Sequence, residues 1–479
     1  MTIATTAPHD RQSRPEEKRG ESWRGISGSW RSTRGPEQHV ASATVGEAPA
    51  VSVVLATYNG ERFLEPLLES LARQTIPPRE LVVGDDGSTD RTVEIVSTFG
   101  DRAPFPVSVT SNRRRLGFSD NFLTLADAAA GPLIAFCDQD DVWHPTKLQR
   151  TSSWFRDPEI GLVLHRTLLV DETLRWDGRH FPPIRKTEIR GPRRIDPWLP
   201  SPGLAIVVRR SLLEQVAGWP RPPSRDLDGH PMDHDEWAYL VAASLGKVVL
   251  LAEDLAQYRQ HFQSYLGAPP AGLREELDRG LRFGAADYLR PRAEMYHALA
   301  KFWDSFAAQT GLPLHVARRA SASANWYRRL HANQRARASA HDSRVGRLHR
   351  AVRLLRLVAA GVYRSPMRGG AGTRALLGDA MGLVGQADPA SMTIDPDIGQ
   401  RIVRARAEGQ PAQAVAAELT RDGVPPPYGR TWSVAMVRDV GFRVERDMER
   451  AAAAQATAEV WPPAQSEDPH LPGSDGPQT

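Results

Sequence analysis

The stretch VSVVLATYNGERFLEPLLESLA, residues 51–72, decides the fold. Its first six residues form a short, continuous apolar run rich in valine, which is typical of a buried strand. Leucines then recur at positions 64, 67, 68 and 71, and this i, i+3, i+4, i+7 spacing predicts an amphipathic helix. A buried strand followed at once by such a helix is the first half of a βαβ unit.

The same alternation continues downstream. Further strands are predicted at residues 80–86, 106–109, 133–141, 204–208 and 247–251. Further helices are predicted at residues 90–99, 119–129, 144–155 and 233–244. Strands that alternate with helices of about 10 to 15 residues indicate an α/β fold with a parallel sheet.

The composition excludes several classes of protein. The chain has 479 residues, with 25% charged and 41% apolar residues, which fits a soluble globular protein of two or three domains. No run approaches the roughly 20 apolar residues that span a bilayer, and the N-terminus lacks the apolar core of a signal peptide. The single cysteine, Cys137, cannot form an internal disulfide, which fits a reducing compartment and a cytoplasmic location.

Changes in composition divide the chain. We predict disordered tails at residues 1–48 and 447–479, where no apolar periodicity is visible. Between them we expect an α/β domain at 49–268, an Arg-rich helical region at 269–387 and a small three-helix unit at 388–446.

The cluster DQDD at residues 138–141 follows a predicted strand. Carboxylates at i and i+2 on an extended segment face the same side, so Asp138 and Asp140 can jointly hold a hard divalent cation. Such a cation would neutralise a diphosphate leaving group. The alternative is an Asp-rich turn that caps the following helix.

A second cluster, GDDGSTD at residues 84–90, follows another predicted strand. Asp85 and Asp86 can accept hydrogen bonds from a pyrimidine imide or from ribose hydroxyls. The cluster can equally be a turn in which Asp90 caps the next helix, and the residues alone leave both interpretations open.

Four motifs in order, SVVLATYNGERFLEPLLESLARQT, LVVGDDGSTDRTVEIV, LGFSDNF and LIAFCDQDDVWHPTKL, resemble the nucleotide-sugar-binding region of family 2 glycosyltransferases. The resemblance is strong over residues 51–156 and weaker to about residue 266. There, MDHDEWAYLVAASLGKVVLLAEDLAQYRQH is similar to bacterial polysaccharide and rhamnosyltransferase-like members. It implies the GT-A fold, a Rossmann-like mixed sheet, followed here by the helical region and the three-helix unit.

The resemblance also implies roles for individual residues. The residues implied in donor binding are Thr57, Asn59, Asp85, Asp86, Asp138 and Arg259. Asp140 and Asp138 match the D-x-D motif that holds Mn²⁺ or Mg²⁺, and Asp141 supports the loop. Asp235 matches the general base, with Glu236 as the weaker candidate and Asp233 as a helix cap.

The chain departs from the family near residue 260. The Q-x-x-R-W motif is missing and YRQH stands at residues 258–261. Arg259 is a candidate for binding the pyrophosphate, and His261 is either a metal ligand or a solvated loop residue.

The implied activity is transfer of a hexosyl or rhamnosyl group from a nucleoside-diphosphate sugar to a hydroxyl of a glycan or lipid-linked acceptor. The resemblance implies a metal-dependent reaction that inverts the anomeric centre. It also implies a role in the synthesis of cell-surface polysaccharide. The alternative that the residues leave open is a sugar-nucleotide sensor or a DNA-binding regulator.

Two further segments bear on partners. Arg344, Arg347, Arg350, Arg353 and Arg356 recur at i, i+3 beside apolar residues, which predicts a basic amphipathic helix. Such a helix either contacts the anionic inner face of the cell membrane or packs on the protein with its arginines solvated.

The C-terminal segment at residues 397–442 resembles the helical DNA-binding region of serine recombinases, with Ser433 as a helix cap and Arg438 as the residue that could face a phosphate or base edge. Its positive charge is modest and balanced by carboxylates, so we do not expect DNA to be a partner.

Overall fold

The computed structural model describes residues 48–224, 230–261, 285–342, 345–365, 370–383, 395–408, 410 and 412–426, and seven positions between 431 and 444. The two predicted tails, apart from residue 48, lie outside the described residues. So do Ser433, Arg438 and Arg344.

Ten strands form one sheet. They are β1 Val51–Thr57, β2 Glu80–Asp85, β3 Val107–Ser111, β4 Leu133–Asp138, β5 Val142–Trp143, β6 Ile160–Val170, β7 Trp176–Phe181, β8 Glu188–Arg190, β9 Ile206–Arg209 and β10 Lys247–Arg259. Their order is β3-β2-β1-β4-β9-β6-β10-β5, with β7 paired to β6 and β8 paired to β10.

The sheet is mixed. Strands β1 to β4 run parallel to one another, as the βαβ pattern predicts, whereas β9 pairs antiparallel with both β4 and β6. This is the arrangement typical of the GT-A fold, so the predicted fold class is confirmed. Four strands that the sequence analysis did not predict, β5 to β8, extend the sheet on its second half.

Twelve helices surround and follow the sheet in the described residues. They are α1 Glu61–Ala72, α2 Thr92–Gly100, α3 Phe118–Ala128, α4 Lys147–Ser152, α5 Arg210–Val216, α6 His234–Leu245, α7 Ala285–Ala307, α8 Leu314–Ala340, α9 Arg347–Ala359, α10 Gly372–Gly382, α11 Pro396–Ala407 and α12 Ala412–Arg421.

Alternate residues of the central strands enter two separate cores. Val53 and Leu55 of β1 pack with α1, α2 and α4 on one face of the sheet, while Val54 packs with α3 and α6 on the other. Because both faces are covered, the strands are apolar throughout, which explains why they are recognisable as continuous runs.

The helical region is packed onto the sheet domain. Tyr296 and Trp303 of α7 and Tyr327 of α8 belong to the same core as Trp237 of α6. The sequence predicts continuous helix from 273 to 362. The structure instead breaks it between α7 and α8, where Gly311 adopts φ 82° and Pro313 precedes the next helix.

The C-terminal unit has a small core of its own. Ile402 of α11 packs with Val415 and Leu419 of α12 and with Trp432 and Val437. Residues 436, 437, 440, 441 and 444 are helical, and the other residues of the predicted third helix lie outside the described residues. Among the described helices, we find none that is long and apolar enough to cross a membrane.

Candidate active site

The polar clusters predicted from the sequence meet at one edge of the sheet. Thr57, at the end of β1, is in register with Asp85 of β2, and Ala56 is in register with Asp138 of β4. Since the three strands are parallel, their carboxyl ends form a single crevice, the usual ligand site of such sheets.

Asp85 is buried and bonded within its own loop. One carboxylate oxygen accepts from Thr57 Oγ1 at 2.9 Å, and the other accepts from the backbone N–H groups of Gly87 and Ser88 at 3.1 and 2.8 Å. The turn that follows β2 is therefore built around this carboxylate, while Thr57 is fixed by it.

Asp86 plays the same part for the loop before α3. Its oxygens accept from the backbone N–H groups of Leu116 and Gly117 at 2.7 and 2.8 Å and from Asn112 Nδ2 at 3.1 Å. Carboxylate oxygens have further lone pairs, so a nucleotide contact stays compatible with these bonds.

Asn59 sits on the turn after β1 with φ 45°, a left-handed conformation that asparagine tolerates better than most residues. Its Oδ1 accepts from Thr89 N at 2.9 Å, and its own N–H donates to Ser88 Oγ at 2.9 Å. Asn59 thus joins the first and second strand ends.

The carboxylates of the DQDD cluster interact strongly. Burial, together with the nearby carboxylates of Asp140 and Asp235, raises the pKa of Asp138 to about 8. Burial also raises the pKa of Asp141 well above its ordinary value. These four groups form one concentrated patch of acidic oxygen atoms.

Arg259, the last residue of β10, and His261, two residues later, lie beside the acidic loop. Arg259 donates from its backbone N–H to Asp141 at 2.9 Å, from Nε to the Asp140 carbonyl at 2.6 Å and from Nη1 to the Glu172 carbonyl at 2.6 Å. Its buried Nη2 has no hydrogen-bond partner among the described residues. Arg259 therefore braces the acidic loop and retains one nitrogen for an anion.

His261 is not a solvated loop residue. Its side chain is buried, its ring packs 4.7 Å from that of Phe63, and its Nε2 lies 2.6 Å from Asp140 Oδ2. The structure brings His261 to the D-x-D carboxylate, so it holds Asp140 in place.

Asp235 lies in the first turn of α6, half-buried, whereas Glu236 is buried. The start of α6 is fixed by Ser119 Oγ, which accepts from the His234 N–H at 2.8 Å and from Arg221 Nη1 at 2.8 Å. Of the two acids, Asp235 is the one whose negative charge raises the pKa of Asp138.

The residues present fit a divalent cation bound together with a diphosphate. Among the described residues, no three His, Cys, Asp or Glu side chains are arranged to hold a metal by themselves. Mg²⁺ and Mn²⁺ are commonly held by one or two carboxylates plus substrate phosphates, and Asp138 and Asp140 supply that number of oxygen ligands.

Sequence reasoning missed Lys147, the buried cation beneath the site. Its ammonium donates to the Leu204 carbonyl at 2.6 Å and lies 3.2 Å from the centre of the Trp143 ring. Burial lowers its pKa to about 7, although Asp138 and Asp141 act against this. A lysine in a six-residue helix carries no periodic signal that would mark it as buried.

Gln139 was missed as well. Its side-chain amide accepts from the Tyr58 N–H and donates to the Tyr58 carbonyl, both at 3.0 Å. The pair ties the acidic loop to the turn after β1, and only the sheet order, which sets β4 beside β1, could have indicated it.

Comparison with known proteins agrees with this geometry. Residues 52–216 match the family model described as glycosyl transferase family 2. An uncharacterised glycosyltransferase of Nostoc sp. is 28% identical over 232 residues, which cover 44% of this chain and 65% of the relative.

Two further comparisons are with characterised proteins. A UDP-Glc:alpha-D-GlcNAc-diphosphoundecaprenol beta-1,3-glucosyltransferase of Escherichia coli is 33% identical over 113 residues, covering 24% of this chain and 44% of that protein. The crystal structure of Staphylococcus aureus TarS 1-349 with UDP-GlcNAc superposes with a TM-score of 0.41 and 16% identity, over 85% of this chain and 92% of that one.

The mixed sheet, the acidic loop after β4 and the family match point to one class of protein: residues 52–216 match a family 2 glycosyltransferase domain. The chain spans less than two thirds of the length of the curated relatives it matches.

Proposed function

We propose that the protein is a glycosyltransferase that moves a sugar from a nucleoside-diphosphate donor to an acceptor hydroxyl. The observation that carries the proposal is the crevice at the ends of β1, β2 and β4, where Asp138 is in register with β1 and Asp140 Oδ2 lies 2.6 Å from Nε2 of the buried His261. Displacement at an anomeric carbon requires two kinds of acidic group. One pair of carboxylates holds the metal that binds the diphosphate, and a separate, accessible carboxylate accepts the acceptor's proton.

Asp235 is the general base of the proposed reaction. It accepts the proton of the acceptor hydroxyl while that oxygen attacks the anomeric carbon. The bond from this carbon to the diphosphate oxygen breaks, and its electron pair leaves with the nucleoside diphosphate. Direct displacement of this kind inverts the anomeric centre, and general-base assistance contributes about 10²–10⁴ in rate.

The leaving group is held by the other residues of the crevice. Asp138 and Asp140 would hold Mn²⁺ or Mg²⁺, which supplies charge neutralisation for the diphosphate. Arg259 Nη2 is suited to a phosphate oxygen, because guanidinium groups bind phosphate through fixed N–H donors. His261 enters this account as the residue that positions Asp140, and its direct ligation of the metal stays a prediction.

Thr57, Asn59, Asp85 and Asp86 are proposed to bind the base and ribose of the donor, because they form the wall of the crevice at the ends of β1 and β2. The acceptor is proposed to be a glycan or a lipid-linked saccharide in cell-surface polysaccharide synthesis. This setting places the activity in the cytoplasm, with peripheral contact at the inner face of the cell membrane.

Release of nucleoside diphosphate tests the proposal. Purified protein is screened with UDP-, dTDP- and GDP-sugars in the presence of Mn²⁺, Mg²⁺ or EDTA, beside Asp140→Asn. We expect release with one donor class that requires the divalent ion and is lost in the variant. Release that is unchanged by EDTA and by Asp140→Asn would refute the metal assignment.

The contacts within the C-terminal unit support DNA binding less than the candidate active site supports glycosyl transfer. Arg401, one of the arginines that could meet a phosphate, forms ion pairs with Glu418 and Asp422 of the same unit. A titration with duplex DNA over a range of salt concentrations tests this alternative, and saturable binding with a steep salt dependence would favour it.

A further inference from the structure

Helix α9 exposes a row of large apolar side chains. Leu348 is 77% exposed, Leu355 69% and Val352 40%. The i, i+4, i+7 spacing places all three on one face of the helix. Single exposed leucines are ordinary, but an aligned row on one helix marks a surface that meets something apolar.

This row is not needed to attach α9 to the protein. The opposite face carries Leu354 and Leu357, which pack with Val362 and Tyr363 in a small core that also includes residues of α10. Arg353 Nη1 donates to the Ser339 carbonyl at 2.7 Å, so this arginine also serves the internal contact.

The charge around the exposed row has one sign. Residues 343–378 contain eight arginines and no acidic residue. Arg347 and Arg356 are exposed on α9 and flank the row on its two sides, whereas Arg350 and Arg353 are half-buried. The arginines therefore do not form the one stripe along α9 that their i, i+3 spacing predicts, because the helix divides them between its contact face and its exposed face.

We propose that this face of α9, defined by Leu348, Val352, Leu355, Arg347 and Arg356, docks on an anionic lipid bilayer. Its apolar row would enter the boundary between headgroups and acyl chains while the two arginines meet lipid phosphates. A second copy of the chain fits less well, because pairing this face with itself would bring arginines of the same sign together. The inference deepens the peripheral membrane contact of the proposed function by naming the surface that makes it, and it does not depend on the proposed catalysis.

Flotation with vesicles tests the docking. Full-length protein is mixed with vesicles of phosphatidylglycerol and phosphatidylcholine in equal parts, or of phosphatidylcholine alone. We expect binding to the anionic vesicles that weakens with added salt. The double variant Leu348→Ser/Leu355→Ser should bind at least about tenfold more weakly, since two leucines no longer leave water. Arg347→Glu/Arg356→Glu should also weaken binding.

The matched control is Leu314→Ser, because Leu314 is 65% exposed at the start of α8, away from the row. It should bind as the wild type does, and donor hydrolysis in solution should be the same in all variants. Absence of binding to anionic vesicles, or equal binding by the leucine double variant, would overturn the proposal. So would a dimer, seen by light scattering, that Leu355→Ser dissociates, since the face would then be an interface between copies.

Discussion

The Asp86 side chain is bonded into the fold at the same position where the motif predicts a contact with the donor. Both of its oxygens accept backbone N–H groups from the loop before α3, while the sequence motif assigns it to the donor. The residue type was predictable from the motif. Its bonds to residues about 30 positions away were not, because they depend on how β2 and the loop meet in space.

We expect Asp86→Asn to lower both stability and affinity for the nucleotide. The amide group turns one acceptor into a donor that faces a backbone N–H, which costs roughly 1–3 kcal/mol of unfolding free energy. Urea unfolding and calorimetric titration with UDP measure the two effects, and Asp101→Asn, at an exposed helix end, is the control. A loss of affinity with no loss of stability would mean that the loop bonds carry no weight.

His234 gives a second prediction at the scale of the residue. The ring is buried among Phe118, Phe122 and Phe136, and its two nitrogens have no hydrogen-bond partner among the described residues. Burial, with a smaller contribution from Arg221, lowers its pKa to about 3. At mildly acidic pH, His234 is therefore neutral in the folded protein, whereas the same residue binds a proton in the unfolded chain.

Because the unfolded state binds the extra proton below its ordinary pKa near 6.5, stability falls as pH drops. For this group alone the loss from pH 7 to pH 5 is about 2 kcal/mol. His234→Phe should remove that part of the decline, as measured by urea unfolding at the two pH values. His165, whose pKa burial lowers well below its ordinary value, contributes separately and serves as the internal reference. An identical pH dependence in wild type and His234→Phe would contradict this account.

At the scale of the element, a buried ion pair fastens α10 to α8. Arg337 donates to both oxygens of Asp379, at 2.7 and 3.1 Å, and the two side chains are only 6% and 4% exposed. Tyr363 Oη donates to the same carboxylate at 2.6 Å. Burial raises the pKa of Asp379, but the adjacent His341 and Arg337 side chains outweigh it, so the pKa is lowered.

We expect Asp379→Asn to cost about 3–5 kcal/mol, because the variant leaves the Arg337 charge buried without its partner. The control is Asp304→Asn, whose pair with Arg328 is about half exposed and should contribute less than about 1 kcal/mol. Thermal unfolding of the two variants checks the difference. Equal decreases in Tm for the two variants would mean that burial of the α8–α10 ion pair does not add to its contribution to stability.

The strands differ in how well they could be predicted from the sequence. Strands β1, β2 and β4 are buried on both faces and were predicted as apolar runs, but β6 carries His165, Arg166 and Thr167 in its middle and was not predicted. Arg166 is accommodated there because it pairs with Asp254 of the neighbouring strand at 2.9 Å. A partner 88 positions away leaves no local signal.

At the scale of the whole molecule, the candidate site assembles from three strand ends, one helix start and the end of β10. The motifs identified each carboxylate, but the residues that connect them are visible only in the tertiary structure. Lys147 donates to the Leu204 carbonyl, Gln139 bonds to the backbone of Tyr58, and Arg259 donates to the Asp140 carbonyl. Helices α7 and α8 share a hydrophobic core with the sheet, so the sheet domain extends through these two helices.

The central claim is that Asp235 acts as the base at this assembled site. The most direct measurement is a comparison of donor binding and nucleoside-diphosphate release in Asp235→Asn, with Asp233→Asn as the neighbouring control. We predict that Asp235→Asn binds the donor as the wild type does and that its release falls about 10²–10⁴-fold, while Asp233→Asn retains release. Full release by Asp235→Asn would contradict the account, whatever the result for Asp233→Asn.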